Sequence, residues 1–191
     1  MAARYWLAQL VRAVIAFAAG FAITLDQDHT AGYGIAMFAA FAIVGGLAVA
    51  GFFFVTDAGD RALWLVQGLL GVAAGVVALI VHSGGLGALL YGVSVWALLT
   101  GVAELYGGWR ARRARGSDTG SASAARDRLA VGGLTVALAI VYLVIPAEHR
   151  LAVGLFGAYA IVIGVYLAIG ALSLKWARPA ETADETTESH A

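Results

Sequence analysis

Five apolar stretches and a sixth interrupted by Arg12, each about the length of a bilayer crossing, take up most of this 191-residue chain. A bilayer offers no water to backbone N–H and C=O groups, so such runs are read as helices that close their hydrogen bonds within themselves. The spans fall at 5–25, 31–54, 62–82, 86–108, 128–146 and 151–174. At a rise of about 1.5 Å per residue, around 20 residues cross the hydrocarbon layer, and all six runs meet or approach that length. The expected fold is all-α, an integral membrane bundle of six transmembrane helices.

Composition excludes several classes of function. Hydrophobic residues make up 61% of the chain and charged residues only 13%, with a mean hydropathy of +0.85. An ordinary soluble domain is about a quarter charged. The absence of cysteine removes disulfides, thiolate catalysis and cysteine metal sites together. The one basic cluster is short and lies between two membrane spans, so nucleic acid is not an expected partner.

Arginine and lysine accumulate on the cytoplasmic side of membrane proteins. Arg4, Arg12, Arg61, Arg110, Arg112, Arg113, Arg115, Arg126, Arg128, Lys175 and Arg178 fall on one side, Arg150 alone on the other. Both termini are therefore expected in the cytoplasm. Tyr5, Trp6, Tyr106, Trp109 and Trp176 lie at the same boundary, as interfacial anchors do. The outer turns, near Asp26 to Thr30, Ser83 to Gly85 and Pro146 to Arg150, are too short for a domain. On the inner side, 109–127 reads as a flexible linker and the acidic 177–191 as a disordered tail. This leaves one membrane domain, 1–176, with hairpins at 5–54, 62–108 and 128–174.

The hairpins repeat. Phe41 to Gly46, Trp96 to Gly101 and Tyr159 to Gly164 each place an aromatic residue five positions before a glycine. The same register takes Ala16 and Gly20 onto Gly71 and Gly75, which argues against reading the first helix as a cleaved leader. Gly20, Gly46, Gly71, Gly75, Gly101 and Gly164 are assigned to helix packing. Small residues four apart let membrane helices approach closely, and in lipid van der Waals contact replaces the hydrophobic driving force.

Three tandem hairpins, the aromatic-to-glycine pattern, Pro146 at the third turn and the basic exit Trp109-Arg110-Ala111-Arg112-Arg113 together resemble the HdeD family of bacterial acid-resistance membrane proteins. The resemblance covers roughly residues 10–176. It implies a bacterial inner-membrane protein with a role in acid or envelope stress protection.

Two constellations are candidates for chemistry. Arg12 and Glu104 are ionisable residues inside spans, where such groups are costly and functional by default, and their similar depths allow them to pair. Against the repeat, Arg12 corresponds to the polar Gln67, whereas Glu104 corresponds to Val49 and Leu167. Snorkelling to the headgroups is the plainer reading of both. The second constellation is His29, His82 and His149, one at each outer turn; free imidazole titrates at about pH 6.5, so outward-facing histidines suit acid sensing. Ordinary turn roles are the plainer reading, and no histidine pair has metal-ligand spacing along one helix.

No Walker A, His-Glu-x-x-His or Gly-x-Ser-x-Gly pattern is present, and Gly84-Gly85-Leu86-Gly87 opens a membrane helix without the strand a dinucleotide site needs. Asp60 reads as a helix cap beside Asp57. The expectation is a non-enzymatic protein without catalytic residues, cofactor or metal. Its first partner is the lipid bilayer, and its glycine-rich faces permit homo-oligomers or contacts with other membrane proteins. The alternative is a small transporter or channel with a proton path through Glu104.

Overall fold

A computed structural model describes residues 2–54, 58–113 and 119–176. The described residues form six α-helices: α1 (Ala2–Leu25), α2 (Ala31–Gly51), α3 (Ala58–Ile80), α4 (Gly85–Arg113), α5 (Thr119–Val144) and α6 (His149–Trp176). Single 3-10 turns follow α2 at Phe52–Phe54 and precede α4 at His82–Gly84. Every one of the six helices contains a stretch long and apolar enough to cross a membrane. The protein is thus an all-α membrane bundle.

The helices reach further than hydropathy suggests. α4 runs on through Arg113 and α5 begins at Thr119, so the linker expected over 109–127 is helical on both sides of 114–118. Arginine and alanine favour a helix once it is nucleated, and the hydrocarbon boundary does not stop it. The tail 177–191 and Asp57 lie outside the described residues.

Short turns join the helices at one end. Thr30 caps α2 by accepting a hydrogen bond from the Tyr33 amide at 3.2 Å, and the Tyr33 hydroxyl donates to the Ala22 carbonyl of α1 at 2.7 Å. The Tyr142 hydroxyl likewise ties α5 to the Ala152 carbonyl of α6. This will be called the histidine end, and the opposite one the basic end.

The most extensive packing joins helices of different hairpins: α2 on α3, α4 on α5, and α6 back onto α1. Hairpin mates touch less, and the even-numbered helices meet one another around the centre. Glycine explains the choice of neighbour. A Cβ on Gly46 would lie 2.6 Å from the Gly68 carbonyl oxygen, and one on Gly71 would lie 3.0 Å from the Gly46 Cα, so α2 and α3 meet backbone to backbone. At the α4–α5 seam a Cβ on Gly101 would sit 2.9 Å from the Val136 nitrogen.

Register between the seams is conserved by the repeat. Gly75 lies against Ile43 and Ala39, and Gly20 lies against Ile161 and Gly157, their counterparts in the third hairpin. The matching contact of the third seam is a hydrogen bond, from the Ser94 hydroxyl to the Ala139 carbonyl at 2.8 Å. Gly164 faces the Phe17 ring across the α6–α1 seam. The chain thereby closes into a three-part ring.

Five rings fill the middle of that ring. Phe38 and Phe41 both meet Trp96 and Phe156 edge-on at centroid distances of 5.5–5.6 Å. Tyr159 adjoins Trp96 and Phe156 at 6.4 and 6.3 Å. On their histidine side the axis is packed with Ile35, Leu89 and Val153, all buried.

Candidate functional site: a cavity on the axis

The repeat decides what faces the axis below the aromatic cluster. Phe41, Trp96 and Tyr159 occupy one repeat position, Gly45, Thr100 and Ile163 the next, and Val49, Glu104 and Leu167 a third on the even helices. The odd helices contribute Ala16, Gly71 and Thr135, and one turn nearer the basic end Arg12, Gln67 and Val131. All fifteen line a single cavity of about 90 Å³. Among these fifteen the polar members are Arg12, Gln67, Thr100, Glu104, Thr135 and Tyr159, and the others are apolar, aromatic or glycine.

The charged members meet. The Arg12 guanidinium donates to Glu104 Oε1 at 2.6 Å, across the axis from α1 to α4. Glu104 is 6% exposed, and 19% of the Arg12 side chain remains accessible. A charge-assisted bond of this length is strong in a low-dielectric surrounding, and each charge spares its partner an uncompensated burial. Arg12 lies about 9 Å along α1 from Trp6, at about 1.5 Å per residue, and its guanidinium is turned to Glu104.

The hydroxyls in the cavity have a fixed direction. Thr100 donates to the Trp96 carbonyl and Thr135 to the Val131 carbonyl, both at 2.7 Å. Each threonine has one hydrogen, so in the 2.9 Å contact between Thr135 and Tyr159 the donor is Tyr159. The oxygens of these groups remain as acceptors. Toward the basic end, Gln9, Trp64 and Arg128 share the next repeat position and are buried, with the Arg128 guanidinium 5.1 Å from the centre of the Trp64 ring.

The outer histidines occupy separate turns. His29 adopts a left-handed φ of 45° and its amide donates to Asp26 Oδ2 at 2.9 Å, a turn role. The His82 ring Nδ1 lies 3.1 Å from the Leu79 carbonyl at the end of α3, and His149 opens α6. No hydrogen bond or ion pair joins any two of them, and no group of three or more His, Asp or Glu is gathered for a metal ion among the described residues.

Sequence reasoning found Arg12 and Glu104 and did not reach Thr100, Thr135 or Tyr159 as polar members of the same site. The available signal was alignment of the third odd-numbered helix, which puts Val131 and Thr135 opposite Arg12 and Ala16. The basic linker obscures that register by lengthening the offset.

A family described as a short repeat of unknown function (DUF308) matches residues 66–124. These residues comprise most of α3, all of α4 and the start of α5, and so both walls that carry Gln67 and Glu104. No curated protein and no solved structure matches the chain.

Proposed function

We propose that this chain is a non-enzymatic bacterial inner-membrane protein of the HdeD type, with cytoplasmic termini and a role in acid or envelope stress protection. The observation that carries the reading is a repeat-built bundle whose axis is filled with packed aromatic rings on the histidine side. A body of this kind suits a structural or protective part in the membrane better than a standing conduit. The repeat match over 66–124 supports the family part of the reading. The cation–ring contacts Arg113–Trp109, Lys175–Trp6 and Arg61–Phe53 at the basic end support its placement at the cytoplasmic headgroups.

The test is the cytoplasmic pH of deletion and complemented cells during a shift to strongly acidic medium, followed with a ratiometric fluorescent reporter. Faster acidification without the protein, reversed by its return, is expected. Superimposable traces would remove the protective role.

One observation favours a second reading, a proton path through Glu104: its carboxylate reaches the axial cavity beside Arg12. Proton flux into proteoliposomes that disappears in Glu104→Gln would establish it. Equal leakage with and without the protein would leave the protective reading.

A further inference from the structure

The polar groups around the cavity leave an unequal demand for hydrogen bonds. Gln67 is 8% exposed, lines the cavity and makes no hydrogen bond with any described residue, although it carries two donors and an acceptor. Glu104 receives Arg12 on Oε1 and no described residue donates to its other oxygen. The oxygens of Thr100, Thr135 and Tyr159 have already committed their hydrogens and can only accept. These groups face the cavity and not the packed interior, so what occupies it supplies their hydrogen bonds. The walls therefore ask for a guest that offers several donors and one acceptor.

Charge and size narrow that guest further. A cation approaching Glu104 meets Arg12, and an anion approaching Arg12 meets Glu104, so a neutral molecule suits the paired charges best. About 90 Å³ accommodates a molecule the size of a few waters, at about 30 Å³ each. The Phe41, Trp96 and Tyr159 rings bound one side, and a flat molecule can lie against them. We propose that the cavity binds one small, uncharged, planar solute rich in N–H donors, of the urea class. Its carbonyl accepts from the Gln67 carboxamide, and its N–H groups serve Glu104 and the hydroxyl oxygens. The aromatic cluster and the apolar layer beyond it close the histidine side, and the buried Gln9, Trp64 and Arg128 stand next to the cavity toward the basic end. This assignment does not rest on the acid-protection reading.

The experiment is solid-state NMR on the full chain in lipid nanodiscs, with carbon-13 urea as the probe and nitrogen-15 in the glutamine side chains. Dipolar dephasing between urea carbon and side-chain nitrogen is expected in the parent protein and absent in Gln67→Val, which installs the apolar type found at Val131. Thr100→Val, close in shape and lacking one acceptor, is expected to raise the urea concentration for half-maximal dephasing about tenfold, as loss of a single hydrogen bond does. This variant keeps the test open should Gln67→Val not fold. Absence of urea dephasing in the parent protein, with water alone in the cavity, would overturn the assignment. So would equal dephasing by tetramethylurea, which has no N–H donor, or preferential binding of carbon-13 acetate, which would mark an anion site on Arg12.

Discussion

Arg12 and Glu104 depart from their repeat in opposite senses of charge, and each departure is tolerable only because of the other. Glu104→Leu, the residue type at the equivalent Leu167, leaves Arg12 in an apolar surrounding without its counter-ion. The expected loss is about 3 kcal/mol, at the lower end for one partner of a buried pair because Arg12 keeps some exposure. Adding Arg12→Val, the type at Val131, removes the stranded charge and is expected to regain most of that loss, since apolar replacements of buried pairs are often neutral or better. Reversible unfolding in mixed SDS micelles measures Glu104→Leu, Arg12→Val and the double variant, and simple additivity of the two single losses would show that the residues do not act as a pair. Both charges are legible in the sequence because ionisable residues inside apolar spans stand out. Gln67, Thr100 and Thr135 are harder to read, because uncharged polar residues occur in membrane helices for many reasons and only their convergence on one cavity singles them out.

At the level of helices, hydropathy locates every span, because lipid imposes length and apolarity on each one separately. It says much less about which helix packs on which. The strongest seams unite α2 with α3, α4 with α5 and α6 with α1, whereas the turns unite α1 with α2, α3 with α4 and α5 with α6. A small-residue pattern marks a face for close approach without marking its partner, so this pairing was not legible in the chain. The seams predict a sharp contrast between glycines. Gly46→Ala puts a Cβ 2.6 Å from the Gly68 oxygen and 2.7 Å from the Val72 nitrogen, both backbone atoms that cannot rotate away. A loss of about 2 kcal/mol is expected from such overpacking. Gly133→Ala meets nothing within 4 Å and is expected to be neutral or to gain up to about 1 kcal/mol from helix propensity. The same SDS titration decides between them, and equal effects at both positions would mean that α2 and α3 are not in backbone contact at Gly46.

Viewed whole, the molecule is a ring of three seams of which one happens to contain the chain ends. The α6–α1 seam repeats the contact of Gly75 on α2 with Gly20 on α6, and Lys175 lies over the Trp6 ring at 5.2 Å, so the last and first helices meet at the basic end. A Cβ on Gly157 would sit 3.1 Å from the Ile23 Cβ. Disulfides join Cβ atoms about 4 Å apart, so Ile23→Cys with Gly157→Cys is expected to form an intramolecular disulfide under mild oxidation once the seam opens by roughly 1 Å. The chain has no cysteine of its own, so a reductant-sensitive mobility shift on SDS gels reports this bond alone, and a product found only as dimer would contradict ring closure. The same geometry makes the position of the termini arbitrary. Joining Trp176 to Trp6 through a short glycine-serine linker and opening the chain within 114–118 preserves every seam, shortens α1 by its first four residues, Ala2 to Tyr5, and cuts no other described helix. Loop-closure entropy changes slowly with loop length, so the permuted protein is expected to stay within about 1 kcal/mol of the parent and to keep its near-ultraviolet circular dichroism, to which the packed Phe38, Phe41, Trp96, Phe156 and Tyr159 rings contribute. A permutant that inserts but loses that aromatic signal would show that the order of helix insertion, and not the closed ring, determines the packing.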